Sequence, residues 1–120
     1  MKTIILAPII LICVLISHVY GGEPWHLVRT VGMTQLVVID KPKFKDQNIY
    51  RQAVSDLCRG EDFCQVVFWT NKNLVPRKLP MSEKQAKGMV ADYTYNKSTG
   101  CREFIWSCEI VNDPKHCFTP

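Results

Sequence analysis

Between Asp56 and Thr70 the chain reads DLCRGEDFCQVVFWT, and this stretch constrains the fold more than any other. It sets two cysteines and a glycine directly ahead of an apolar run. Upstream, Tyr50, Ala53, Val54 and Leu57 recur at i, i+3, i+4 and i+7, which aligns them on one face of a helix. Asp46 can cap the start of that helix by accepting backbone N–H bonds. Arg59 suits the negative end of its dipole, and Gly60 can take the left-handed conformation that stops it. FCQVVFWT then reads as a strand, apolar on both faces apart from Gln65, and QLVVID (Gln35 to Asp40) has the same buried character. Strand, helix and strand in succession predict a βαβ-like unit whose helix covers one face of a sheet.

The remainder is read from its punctuation. Asn71 to Pro80 is a loop marked by Pro76 and Pro80. Ser82 and Gln85 fit a capping box, and Gly88 can end the short helix that follows. Met89, Ala91, Tyr93 and Tyr95 alternate with Val90, Asp92 and Thr94, and NKSTG forms a turn before CREFIWSCEI, which predicts a β-hairpin. PWHLV, near residue 25, reads either as a short strand or as a packed arm. The expected fold is a single α+β domain, with a small sheet of about four strands, one main helix, a second short helix and disulfide staples.

The N-terminus sets the compartment in which the cysteines are read. Lys2 precedes an apolar segment from Ile4 to Ile16, broken only by Pro8 and Cys13, and small Gly21 follows. That order predicts a secretory signal peptide at 1–21, cut between Gly21 and Gly22, leaving the domain at 22–120. The rival reading is an uncleaved anchor: Thr3 to Tyr20 is at the lower edge of a membrane-spanning length. Ile12, before Cys13, is too large for lipid processing there. The expected location is therefore periplasmic or extracellular, with no stable membrane insertion after cleavage. The formal charge of +4 falls to +3 without Lys2, too little to imply a nucleic-acid partner.

Cys58, Cys64, Cys101, Cys108 and Cys117 follow the leader, and in an exported chain they are expected to bridge. Connectivity does not follow from sequence alone. Local geometry favours Cys58–Cys64 across the Gly60 turn, and Cys108–Cys117 pinning the C-terminal tail to the last strand. Cys101 is left over, as a spare thiol or an interchain bridge in a dimer. A zinc site would need closer cysteine or histidine pairs, and a redox motif would need C-x-x-C, so neither metal nor cofactor is expected.

KPKFK is the most conspicuous surface feature. If it were extended, Lys41, Lys43 and Lys45 would point one way and Pro42 and Phe44 the other. The three lysines, joined by Arg77 and Lys78 if the fold allows, form a candidate patch for an acidic partner, an anionic lipid surface or a polyanion; the alternative is a soluble connector or a lysine-protected edge. His26 and His116 are candidate acid–base groups of a small hydrolase. No G-x-S-x-G elbow organises a serine nucleophile, and a nucleophilic Cys101 would need a neighbouring His that sequence does not place. Trp25, Trp69 and Trp106, with Phe63, Phe68 and Phe104, read as core or core rim.

The helix ending in Cys58, the strand C-x-V-x-F-W (Cys64 to Trp69), the turn Y-x-Y-N-x-x-x-G (Tyr93 to Gly100) and Trp106-x-Cys108 together resemble small uncharacterised exported proteins of Gram-negative bacteria. The resemblance covers Tyr50 to Phe118 and implies a periplasmic location, with no activity or site. The expected function is a non-enzymatic exported binding module, such as an inhibitor or immunity-type protein that caps another protein. The alternatives are a small secreted hydrolase using His26 or His116, and a structural envelope factor.

Overall fold

The computed structural model describes residues 23–119. The expected leader, its cut after Gly21 and Cys13 lie outside the described residues. The strands are β1 (Trp25–Val31), β2 (Thr34–Ile39), β3 (Phe63–Trp69), β4 (Met89–Asn96), β5 (Cys101–Ser107) and β6 (Cys117–Phe118). The helices are α1 (Gln47–Leu57) and α2 (Glu83–Lys87), with 3-10 turns at Lys41–Lys43 and Lys72–Leu74. The six strands lie side by side in chain order. β2–β3 and β5–β6 are parallel pairs, and the other neighbours are antiparallel.

The α+β class, the main helix and the two disulfides are as expected, but the sheet is mixed and has six strands rather than about four. The two missed strands are the edges. β1 lacks clean alternation because its register shifts between Leu27 and Arg29, so a period of two does not persist along it. β6 has only two residues, too few for any periodic signal, and is held beside β5 by the Cys108–Cys117 bridge.

The parallel β2–β3 pair with α1 in its crossover is the predicted βαβ-like unit. Asp46 caps α1, its side chain accepting from the Asn48 N–H at 3.0 Å. At the other end the Cys58 N–H donates to the Val54 carbonyl, and Gly60 turns the chain at φ 75°. A residue with a Cβ is strained at that φ, which is why glycine sits there. The apolar stripe of α1, Ile49, Tyr50, Ala53 and Val54, is buried.

Strand alternation builds two cores. On the helix side Val37, Ile39, Val66, Phe68, Ala91 and Tyr93 meet the α1 stripe. On the opposite side Leu36, Val67 and Trp69 are covered by Val75 and, partly buried, Leu74, Met81 and Met89. The expected capping box forms: the Ser82 hydroxyl accepts from the Gln85 N–H, and the Gln85 amide accepts from the Ser82 N–H. α2 is thereby held where the Trp69 indole donates to the Gln85 carbonyl at 2.8 Å. Gly88 leaves this chain segment close to Leu74, because a Cβ there would lie 2.7 Å from the Leu74 Cδ1.

Candidate functional site

The two cysteines of the Asp56–Thr70 stretch are scaffold, while Arg59 to Asp62 between them border a cleft. Cys58 and Cys64 form a disulfide with Cα atoms 5.6 Å apart, joining the end of α1 to the start of β3. Cys108 and Cys117 form the second, at 5.0 Å. Cys101 is free and exposed at the first position of β5. Among the described residues, no group of three or more His, Cys, Asp or Glu side chains is arranged to hold a metal ion.

The lysine segment is not extended. Pro42 sits at the start of a 3-10 turn over Lys41–Lys43, so the two-residue alternation that would align Lys41, Lys43 and Lys45 is lost. Phe44 instead packs against the helix-side core, and its carbonyl accepts a 2.6 Å hydrogen bond from the Tyr50 hydroxyl. All three lysines remain exposed. Lys41 lines a small cleft with Lys87, Thr70 and Glu109. Arg77 and Lys78 are exposed in the loop after Pro76 and do not line that cleft.

His26 lies on β1, 3.9 Å from the Asp40 carboxylate, with both side chains about half exposed. His116 precedes β6. These are opposite edges of the sheet, and five inter-strand spacings separate them by roughly 24 Å. The two imidazoles therefore cannot flank one scissile bond.

The structure places a different surface at the centre. α1 packs on the β2–β3 side and reaches β5 through Tyr50, whose ring meets Phe68 edge-on at 4.9 Å and Trp106 at 5.0 Å. Between the flank of α1 and the β4–β5 hairpin the sheet stays open, as a cleft of about 750 Å³. Its floor is aromatic. Tyr93 pairs with Phe104 across the hairpin, ring centroids 4.7 Å apart, and Phe104 stacks on Trp106 at 4.6 Å with planes 12° apart. Tyr95 continues the row, paired with Arg102.

The walls are mostly cationic. Arg51, Arg59, Lys97 and Arg102 line the cleft against the carboxylates of Glu61 and Asp62. Lys97 stands 3.7 Å from Asp62, and Arg59 3.7 Å from Asp56. These exposed pairs are weak. Arg51 and Arg102 have no carboxylate within ion-pair distance among the described residues. The Arg51 guanidinium lies 5.9 Å from the Trp106 ring centre and the Arg102 guanidinium 5.0 Å from that of Tyr95. Attraction to the ring faces steadies each guanidinium and leaves its charge unneutralised.

On the opposite sheet face Thr34, Gln65 and Asp92 form a cross-strand polar row, with Thr34 donating to the Gln65 carbonyl oxygen at 3.0 Å and Gln65 to Asp92 at 3.5 Å. Burial raises the Asp92 carboxyl above its ordinary range, the Gln65 bond opposes that shift, and nearby Glu103 adds to it. Burial likewise raises the Tyr50 phenol, which stays a neutral donor to Phe44.

Arg51, Tyr93, Tyr95, Arg102 and Phe104 were not among the residues singled out from sequence as a binding site. For four of them the signal was the alternation Y-x-Y and R-x-F-x-W on two strands already expected to form a hairpin, which puts Tyr93, Tyr95, Arg102 and Phe104 on one face; Arg51 comes from α1, and only the packing of the helix brings it there. No protein-family model, curated protein sequence or solved structure matches the chain.

Proposed function

We propose that the chain is a non-enzymatic exported binding module that caps another protein, and that the cleft between α1 and the β4–β5 hairpin is the contact surface. The observation that carries this reading is the combination of an aromatic floor with two guanidinium groups, Arg51 and Arg102, that lack a carboxylate partner. Aromatic rings and arginine are the groups that dominate protein contact energies, through large buried area and bidentate pairing with carboxylates. Two disulfides in a small domain fit an oxidising compartment, periplasmic or extracellular, as does the expected leader. Lys41, Lys43 and Lys45 are then a second basic surface, apart from the cleft.

The test is capture of the partner from the native envelope or medium with tagged protein, followed by affinity measurement on the partner identified. Arg51→Glu with Arg102→Glu should weaken binding by about tenfold or more, since each buried charge contact is worth a kcal/mol or more. Charge reversal of Lys41, Lys43 and Lys45 should change it by less than about threefold. A partner that tolerates the arginine reversal and is lost with the lysine reversal moves the contact to the 3-10 turn.

A further inference from the structure

β5 is paired with β4 from Cys101 to Trp106 on one side, but on the other side β6 covers only Trp106 and Ser107. The Cys108 N–H points outward, donating to the Phe118 carbonyl. Backbone groups alternate in direction along a strand, so Phe104 and Arg102 also present their N–H and C=O outward, in the stretch β6 does not reach. A cleft of about 510 Å³ lies along that stretch, with β5 on one wall and Lys115, His116 and Cys117 on the other. It adjoins the aromatic cleft, because Arg102 and Phe104 line both.

We propose that this slot accepts an extended acidic peptide segment of the partner as an added strand beside β5; the proposal rests on the binding-module reading above. The added strand hydrogen-bonds to the outward N–H and C=O of Arg102 and Phe104. Alternate side chains fall on the helix-side face, where they meet the aromatic floor and Arg102. The remaining side chains fall on the Ile105 face, and Ile105 is 39% exposed. Main-chain bonds supply affinity in this mode and alternate side chains supply specificity. Charge decides the sequence of the guest: Arg102 and Lys115 border the slot against Glu103, so carboxylates on the added strand gain and basic residues lose. The same excess charge disfavours a second copy of this chain pairing edge to edge at β5. The opposite sheet edge is less suited to strand addition, because the register shift between Leu27 and Arg29 interrupts β1.

The probe is a synthetic peptide, Glu-Val-Tyr-Val-Glu-Val-Tyr-Val, titrated into the full mature chain and read by amide exchange and affinity. Binding should slow exchange at Arg102 and Phe104, and replacing its Glu residues by Lys should weaken it by about tenfold. N-methylation of one alternate set of peptide residues should weaken binding by about tenfold, and of the other set by less than about twofold, because only one edge of a strand faces β5. If both methylated sets bind like the parent, strand addition is overturned, while a loss of affinity in Arg102→Glu would leave the cleft reading standing. If no peptide of the series binds, the acidic-strand proposal fails, and the envelope capture experiment still judges the cleft independently. Concentration-dependent self-association that protects Arg102 and Phe104 without peptide would give the slot to a second copy and also overturn it.

Discussion

The helix-side face of the sheet has two halves built from the same kind of strand, and they do opposite things. Under α1, the β2–β3 half is aliphatic and closed: Val37, Ile39, Val66 and Phe68 are fully buried. Beside α1, the β4–β5 half turns aromatic toward the hairpin and stays open, with Tyr95 and Phe104 only partly buried and guanidinium groups over its rings. The difference teaches where stability and function separate. A closed aliphatic layer gains from burial alone, while rings left part-exposed beside unpaired cations are the contact area that the proposed partner would cover. Tyr50 is the hinge between the halves, touching Phe68 on one side and Trp106 on the other.

The comparison breaks first at Tyr50. Replacing it with Ala should destabilise the domain by about 3–5 kcal/mol, the cost of removing a large buried aromatic side chain, as measured by chemical denaturation. Tyr50→Phe should cost about 1–2 kcal/mol, because the Phe44 carbonyl loses its donor. By contrast Tyr95→Ala, in the open half, should cost under about 1 kcal/mol of stability while weakening partner binding. If Tyr95→Ala proves as destabilising as Tyr50→Ala, the open half is core and the division between the two regions fails.

The staple at the end of α1 joins the two halves: Cys64 is buried in the closed core and Cys58 lines the cleft. Cys58→Ser with Cys64→Ser should lower stability by about 2 kcal/mol, a figure set by the short loop the bridge closes. Partner affinity of the folded fraction should fall by less than about threefold, because Arg51 and Arg102 lie outside the bridged loop. The Cys108→Ser, Cys117→Ser pair should cost a similar amount and additionally loosen β6, which would show as faster amide exchange at Cys108 and Phe118. Equal affinity loss in both double variants would mean that the first bridge shapes the cleft as well as the scaffold.

The Asp46 cap offers a smaller test of the closed half. Asp46→Ala removes the acceptor for the Asn48 N–H and should cost about 1 kcal/mol. The smallest effect is expected on the opposite face. Burial raises the Asp92 pKa in the folded state, so between its unfolded and folded values the native chain binds more protons, and stability falls as pH rises through that window. Asp92→Asn keeps an acceptor for Gln65 without the charge. It should be slightly more stable than wild type at neutral pH, and the gain should vanish as pH falls below the ordinary carboxylate range. A variant less stable than wild type at neutral pH and equal to it at acid pH would show that the Asp92 charge is used rather than tolerated.

Much of the closed half was legible in the chain because its signals are local. The i, i+3, i+4, i+7 stripe, the Asp46 cap, the Gly60 turn and the two flanking cysteines all act within a few residues of one another, and each has a steric or hydrogen-bonding meaning that holds in any fold. The hairpin was legible for the same reason, since NKSTG interrupts two alternating runs. In KPKFK the repeat of two has meaning only on an extended backbone, a condition that is not met because Pro42 starts a 3-10 turn and Phe44 is drawn to the core. The edges β1 and β6 were obscured by a bulge and by brevity.

The α+β class, the main helix with its caps and the hairpin were already written in the chain, and the pairing of Cys58 with Cys64 was favoured by it, since each rests on interactions between near neighbours. Only the tertiary structure decided the site. The direction in which α1 crosses the sheet is a property of packed surfaces rather than of any local pattern. That crossing brings Arg51 over Trp106 and leaves Tyr95 and Phe104 beside the helix instead of beneath it, while the strand order puts His26 and His116 on opposite edges. Contacts between residues distant in the chain depend on how whole elements fill space together, and no short window of sequence records that.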